Sequence, residues 1–227
     1  KGQVMKKIIA TIVALVFSTS AYAVTISDVS VGASINHGIY GGNGKEENFD
    51  HVGTLATTTK KDGAAFVDTY ATVFVEAALN DNISIGVSYA PDAIDTPQNI
   101  NAAEGEKNGA GHVDIKVSAE FEDLTTVYLL AKSQIGVFAK VGYSQMDINV
   151  TSENAGTYKD TDSDGVEVAI GYERDLGEFG VRAELAYHTF DDVKADNGKS
   201  SDADANKITV SDMEGATARI SSVSYTH

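Results

Sequence analysis

The densest run of ligand-type side chains in the 227-residue chain is Asp160-Thr161-Asp162-Ser163-Asp164-Gly165, a D-x-D-x-D-G sequence. Carboxylates at alternate positions before a glycine turn can converge on calcium, as at the start of an EF-hand loop. A full loop of that kind closes with a bidentate Glu at its twelfth position, and here that position is Gly171. Calcium at Asp160, Asp162 and Asp164 is therefore a candidate with a missing ligand, and a solvated acidic tip is the plainer reading. The histidines are His37, His51, His112, His188 and His227. Only His188, followed closely by Asp191-Asp192, has a suggestive neighbourhood, and no Ser is spaced to make a nucleophile-base pair with it. A histidine at the end of a strand is ordinarily solvated. Cysteine is absent, which removes thiolate nucleophiles, zinc-thiolate sites and disulfides. Gly41-Gly42-Asn43-Gly44 reads as flexible loop rather than a phosphate cradle. These residues point to no catalytic group and no cofactor. What remains is a set of charges, Glu76, Lys140, Arg182 and Glu184, on otherwise apolar segments.

Those segments alternate with period two. Val29-x-Val31-x-Ala33-x-Ile35 is followed by Val67 to Leu79, Ile83 to Tyr89, Val113 to Ala131, Ile135 to Tyr143, Val166 to Tyr172, Phe179 to Tyr187, and a last segment from about Lys207 to Thr226 interrupted near Gly215. Such alternation marks half-buried β-strands. There are about eight if Val113–Lys132 is one long strand with a bulge at Glu122-Asp123, and about ten if it breaks there. Short links at Asn80–Asn82, Ser133-Gln134 and Asp175–Glu178 alternate with long polar stretches at 41–65, 91–111, 150–164 and 192–206. Strict alternation of short and long links is what strands running up and down produce, and it favours about eight. Two prolines against 21 glycines suit long uninterrupted strands.

The two faces differ in kind. Val73 and Val75 back onto Asp68, Tyr70, Thr72, Phe74 and Glu76. Val137 and Val141 back onto Lys140, Gly142 and Ser144. Val166, Val168 and Ile170 back onto Glu167, Ala169, Gly171 and Glu173, and Val181 and Leu185 onto Arg182, Glu184 and His188. The apolar faces end in Tyr89, Tyr143, Tyr172 and Tyr187, with Tyr225 in the last strand, as for a lipid face with an interfacial aromatic girdle. The opposite faces mix small residues with both charge signs, which suits a narrow lumen filled by side chains. The expectation is an all-β, antiparallel, up-and-down transmembrane β-barrel. A soluble secreted β-sandwich binding module is the alternative from another class.

The chain's beginning agrees with export. Met5-Lys6-Lys7, the apolar run Ile8 to Phe17 and Ala21-Tyr22-Ala23 are the three parts of a cleaved secretory signal peptide. The run is about half of the roughly 20 residues a membrane-spanning helix needs. Lys1 to Val4 are expected to lie upstream of the natural start. Residues 1–23 are thus expected to be upstream residues plus leader, and residues 24–227 one barrel domain. With 33 acidic against 17 basic side chains and a net charge of −16, a basic patch for nucleic acid is excluded.

Four stretches, MKKIIATIVALVFSTSAYA, VFAKVGYSQMDI (Val137–Ile148), DGVEVAIGYERDLGEFGVRAELAYHTFDD (Asp164–Asp192) and ARISSVSYT (Ala218–Thr226), resemble small Gram-negative outer-membrane β-barrel proteins. The likeness is to the OmpA-barrel, opacity-protein and OmpX-like group, also called the porin family. It rests on Phe138-Ala139-Lys140-Val141-Gly142-Tyr143 and on Asp164-Gly165 through Gly171-Tyr172-Glu173. The resemblance implies eight strands, a location in the cell outer membrane, contact with outer-membrane lipid and lipopolysaccharide, and delivery by the barrel-assembly machinery. The group usually ends on a terminal Phe or Trp, whereas this chain ends Tyr225-Thr226-His227. Read as lipid-facing, Val223 and Tyr225 would share their face with Arg219 and Ser221, which suit it poorly. The function expected is non-enzymatic: a structural barrel that presents surface loops to an unidentified ligand, its lumen filled by Glu76, Lys140, Arg182 and Glu184. A small porin-like channel for small solutes is the alternative.

Overall fold

The computed structural model describes residues 28–49, 55–91, 94–95, 99–103, 113–153, 158–196 and 206–226. Its elements are all strands: β1 (Val29–Phe49), β2 (Leu55–Asn80), β3 (Ile83–Ala90), β4 (Ile94–Asp95), β5 (Asn99–Ala103), β6 (Val113–Lys132), β7 (Val137–Glu153), β8 (Thr161–Asp175), β9 (Phe179–Phe190), β10 (Val193–Asp196) and β11 (Asn206–Thr226). Their order is β1-β2-β3-β6-β7-β8-β9-β11, and β1 pairs in turn with β11, so the sheet closes on itself. Every pairing around this ring of eight is antiparallel. Closure leaves no sheet edge around the ring.

The tight turns gather on one rim. Asn80 turns the chain by accepting the backbone N–H groups of Asn82 and Ile83 on its Oδ1, each at 2.9 Å. Asp175 does the same for Gly177 at 2.7 Å, and Gly177 itself has φ +101°, a conformation that favours glycine. At Gly136, φ is +90° and an added Cβ would lie 2.2 Å from the Glu173 carbonyl oxygen, so both backbone and space demand glycine there.

The opposite rim departs from expectation. Much of the four polar stretches is paired strand rather than loop. β1 and β2 stay in register from Gly41↔Ala65 to Lys45↔Lys61 and resume to Phe49↔Leu55. β4 and β5 pair with β6, β7 runs on to Glu153, and β10 pairs with β11. Beyond the apolar band neither face has to be hydrophobic, so strands persist there without the period-two signal that reveals them.

Val113–Lys132 is one strand, bulged between Glu122 and Thr125. Asp123 takes φ +54° at that bulge. A second irregularity, between Gly41 and Asn43 on β1, lies opposite Asp212 at φ +53°. The interruption expected at Gly215 therefore falls three residues earlier, and β11 is continuous through Gly215. Asp is among the few non-glycine residues that tolerate this region.

The barrel is apolar outside and mixed inside. Val31, Ile35, Val73, Val141, Ile170, Leu185 and Ile220 are all exposed on the outer surface. Inside, large side chains stand opposite glycines. A Cβ on Gly32, Gly86 or Gly171 would come within 2.2, 2.4 and 2.3 Å of Phe74, Tyr128 and Phe138 respectively. Pairing small with large across neighbouring strands is how a narrow barrel fills its lumen without voids.

Candidate functional site: the lumen

Strand parity sends Glu76 (β2), Lys132 (β6), Lys140 (β7), Glu167 and Glu173 (β8), Arg182 and Glu184 (β9) and Arg219 (β11) inward. Seven of these are buried, and Lys132 is half-exposed at the turn rim. They fall into two groups, each with two acids and two cations.

The group nearer the tight turns centres on Arg182. Its two terminal nitrogens donate to the Glu76 carboxylate at 2.7 and 2.9 Å, and Nε and Nη2 donate to Glu173 Oε2 at 2.9 and 2.6 Å. Lys132 Nζ holds the other Glu173 oxygen at 2.6 Å. The hydroxyls of Tyr128 and Tyr225 donate to Glu76 and Glu173 at 2.8 and 2.9 Å. The guanidinium lies 5.3 Å from the Phe74 ring centre and 5.1 Å from that of Phe138. It is thereby fixed by planar hydrogen bonds and aromatic faces together.

The second group lies further along the lumen. Lys140 Nζ is 2.7 Å from both Glu167 Oε1 and Glu184 Oε1. Arg219 meets Glu184 at 2.5 Å and Glu167 at 3.0 Å, and its Nε donates to Asn36 Oδ1 on β1. In ring order β2 lies opposite β8, and β1 opposite β7. Glu76–Arg182 reaches across the lumen from β2 to β9, while Asn36–Arg219–Glu184–Lys140 links neighbouring strands round one side, from β1 to β7. Because every acid is matched by a cation, neither group leaves the lumen a net charge. Charges this deeply buried are tolerated only when paired and hydrogen-bonded.

Above the second group sits His188. Its Nε2 lies 3.1 Å from Thr217 Oγ1 and its Nδ1 3.5 Å from Glu167 Oε2. The ring stacks on Phe190 with centroids 6.2 Å apart. Thr217 and Tyr70 are in turn bonded to the Tyr40 hydroxyl at 3.1 and 2.9 Å. Beyond these lies an apolar layer of Tyr70, Leu124, Met146, Ile148, Val193 and Met213, joined by Phe66 and Phe121.

The four charges singled out in the sequence thus lie together in the lumen, with Glu167, Glu173, Lys132 and Arg219 beside them. Two expectations are corrected. Tyr225 is not on the outer face, because Thr217, Arg219, Ser221 and Val223 face inward and Tyr225 follows the same parity to Glu173. His188 is not solvated: at 2% exposure it is enclosed by the lumen. The outward residues of β11 are Ala216, Ala218, Ile220, Ser222 and Ser224, among which Ile220 is the one large apolar side chain, too little to mark that face by hydrophobicity. Complementary charge was the available signal, since Arg219 stands directly across from Glu184 on β9.

Tyr89, Tyr143, Tyr172 and Tyr187 point outward. Tyr172 lies toward the turn rim and the other three toward the far rim, where Tyr89 and Tyr187 donate to Asp123 and Glu214. Asp160 precedes β8, and Asp162 and Asp164 occupy alternate positions along it, strung out rather than curled about a point. Among the described residues no three His, Cys, Asp or Glu side chains gather as a metal site would require. His37 lies on the outer face, bonded to Thr69 at 2.8 Å. His51, His112 and His227 fall outside the described residues.

No protein-family model matches the chain, and no curated protein does either. Among solved structures, it is similar to the outer membrane protein OprG of Pseudomonas aeruginosa, at 14% identity and a TM-score of 0.46, with 86% of this chain and 96% of that one covered. AlkL, determined by solid-state NMR in lipid bilayers, gives 15% identity and a TM-score of 0.46 over 92% and 95% of the two chains. The attachment invasion locus protein Ail of Yersinia pestis gives 10% and 0.38 over 86% and 99%. Likeness at this level carries nothing about role, and the closed eight-stranded barrel rests on this chain's own pairings.

Proposed function

We propose that the chain is an outer-membrane β-barrel whose lumen is sealed, and whose work is done by the strand extensions and loops on the rim opposite the tight turns. The membrane placement is supported by the inversion of polarity: Val, Ile and Leu face out all round the ring while charged groups face in. With its hydrogen bonds closed on themselves, such a sheet suits a lipid interior. In this reading residues 1–23 are removed on export, the outer face meets lipid and lipopolysaccharide, and the barrel-assembly machinery inserts it. No catalytic residue and no cofactor is assigned.

The observation that carries the sealed lumen is the pair of charge-balanced groups that fill it, their buried members joining strands from both sides of the ring. An open porin would instead leave its lumen charges hydrated. Refolded protein should stay with the membrane fraction after carbonate washing and migrate differently on SDS gels before and after boiling. Proteoliposomes should not swell in isotonic small sugars. Loss from the membrane fraction would return the chain to the soluble-sandwich alternative, and swelling would make it a porin-like channel.

A further inference from the structure

His188 occupies the junction between the two halves of the lumen. Below it lies a set of charges that is already complete, with Glu167 and Glu184 matched by Lys140 and Arg219. Above it lies the apolar layer. The imidazole belongs to both: one edge faces Glu167, while the ring packs against Phe190 and Tyr40, with centroids 6.2 and 6.4 Å away. We propose that His188 is a pH-sensitive latch, whose protonation loosens the seal and lets small anions pass.

The groups facing it are Glu167 from β8, Arg219 from β11, Lys140 from β7, Tyr40 from β1 and Tyr70, through Tyr40, from β2; Glu184 lies on its own strand. Adding a proton has two consequences that follow from this arrangement. Glu167 gains a third cation to share, which competes with Lys140 and Arg219 for the same two oxygens. The ring also becomes charged where it is stacked within an apolar layer, and a charged group there draws in water unless it is fully paired. The first effect acts on the charges that seal the lumen and the second on the apolar layer above them. The set as a whole passes from neutral to one excess positive charge, so anions are favoured in what opens. Histidine is the side chain suited to such a change on acidification.

This inference rests on the sealed-lumen reading, and one experiment separates the two. Single-channel currents of refolded protein are recorded in planar bilayers from about pH 7.5 down to about pH 4, with a salt gradient to report ion preference. Closed protein at neutral pH, with at least a tenfold rise in open events on acidification and a reversal potential of anion sign, supports the latch. In His188→Gln, which keeps an amide for Thr217 but takes no charge, the rise should disappear, and in His37→Gln on the outer face it should remain. The same acid response in His188→Gln, or no opening of the unsubstituted protein at any pH, overturns the latch and leaves the sealed lumen standing. Steady current at neutral pH would overturn the sealed lumen itself. Should His188→Gln fail to fold, NMR titration of the His188 ring in the unsubstituted protein decides the matter. Opening that does not follow the ring's titration counts against the latch.

Discussion

Replacing Arg182 by Met keeps an apolar stem but removes the guanidinium, which lies over Phe74 and Phe138 and is the cation that two carboxylates share. At 2.7–2.9 Å and an effective dielectric of about 20, the Arg182–Glu76 charge pair is worth about 6 kcal/mol of attraction before desolvation. Much of this is offset by the cost of burying the charges. What the substitution exposes is the penalty of leaving Glu76 buried with no cation, because Glu173 keeps Lys132. Breaking a buried pair from one side typically costs about 3–5 kcal/mol. Arg182→Met should therefore lower the stability of micelle-refolded protein by about that amount in urea titrations followed by far-UV circular dichroism. Adding Glu76→Gln removes the stranded charge and leaves Tyr128 a hydrogen-bond partner, so the double variant should regain at least half of the loss. A cost below about 1 kcal/mol, or a double variant no more stable than the single one, would refute the view that these charges close the lumen as a matched set.

Three further outcomes are expected. Val141→Arg places a cation on the lipid face, where mid-membrane depth costs about 2–4 kcal/mol, and should impair insertion measured by heat-modifiable migration; equal tolerance there and at exposed Asn43 would remove Val141 from that face. Asp123→Ala should cost about 1–2 kcal/mol in the same urea assay, because φ +54° strains a Cβ-bearing residue without a polar side chain, while Asp123→Gly should cost less despite losing the bond from Tyr89. Asp147, beyond the outer tyrosines, has its carboxyl held above the ordinary range by partial burial and by Asp123, Asp162 and Glu122. Its ionised form is therefore a burden on the fold once pH rises past that raised value, so Asp147→Asn should stabilise at neutral pH and lose its advantage on acidification.

How much of this could be read from the residues varies by strand. β7, β8 and β9 declare both faces, because Val137, Val141, Val168, Ile170, Val181 and Leu185 alternate without a break with glycines and charges. The single bulged strand at Val113–Lys132 was legible for the same reason, with Glu122-Asp123 as the only irregularity. β11 was not, because its outer face carries Ser222, Ser224 and alanines with Ile220 alone among them, while its inner face holds Val223 and Tyr225; hydrophobicity points the wrong way at that end of the strand. The strand extensions past Gly41 and Val150 were hidden for a different reason. Outside an apolar medium a paired strand needs backbone partners and no patterned face, and backbone pairing leaves no trace in side-chain type. The partners of each charge were the least legible part. Glu76 and Arg182 are separated by 106 positions and meet only because β1 and β11 close the ring. A lone Lys or Glu on a strand announces which face is wet but not which charge stands across the lumen.

The central claim, that two matched sets of charges seal the barrel, is tested most directly by the current the unsubstituted protein carries across a planar bilayer at neutral pH. The account predicts a quiet membrane, broken at most by small, brief events. Arg182→Met should add frequent cation-preferring openings as Glu76 is left unpaired in a widened lumen. Large and steady currents from the unsubstituted protein, unchanged by Arg182→Met, would contradict it.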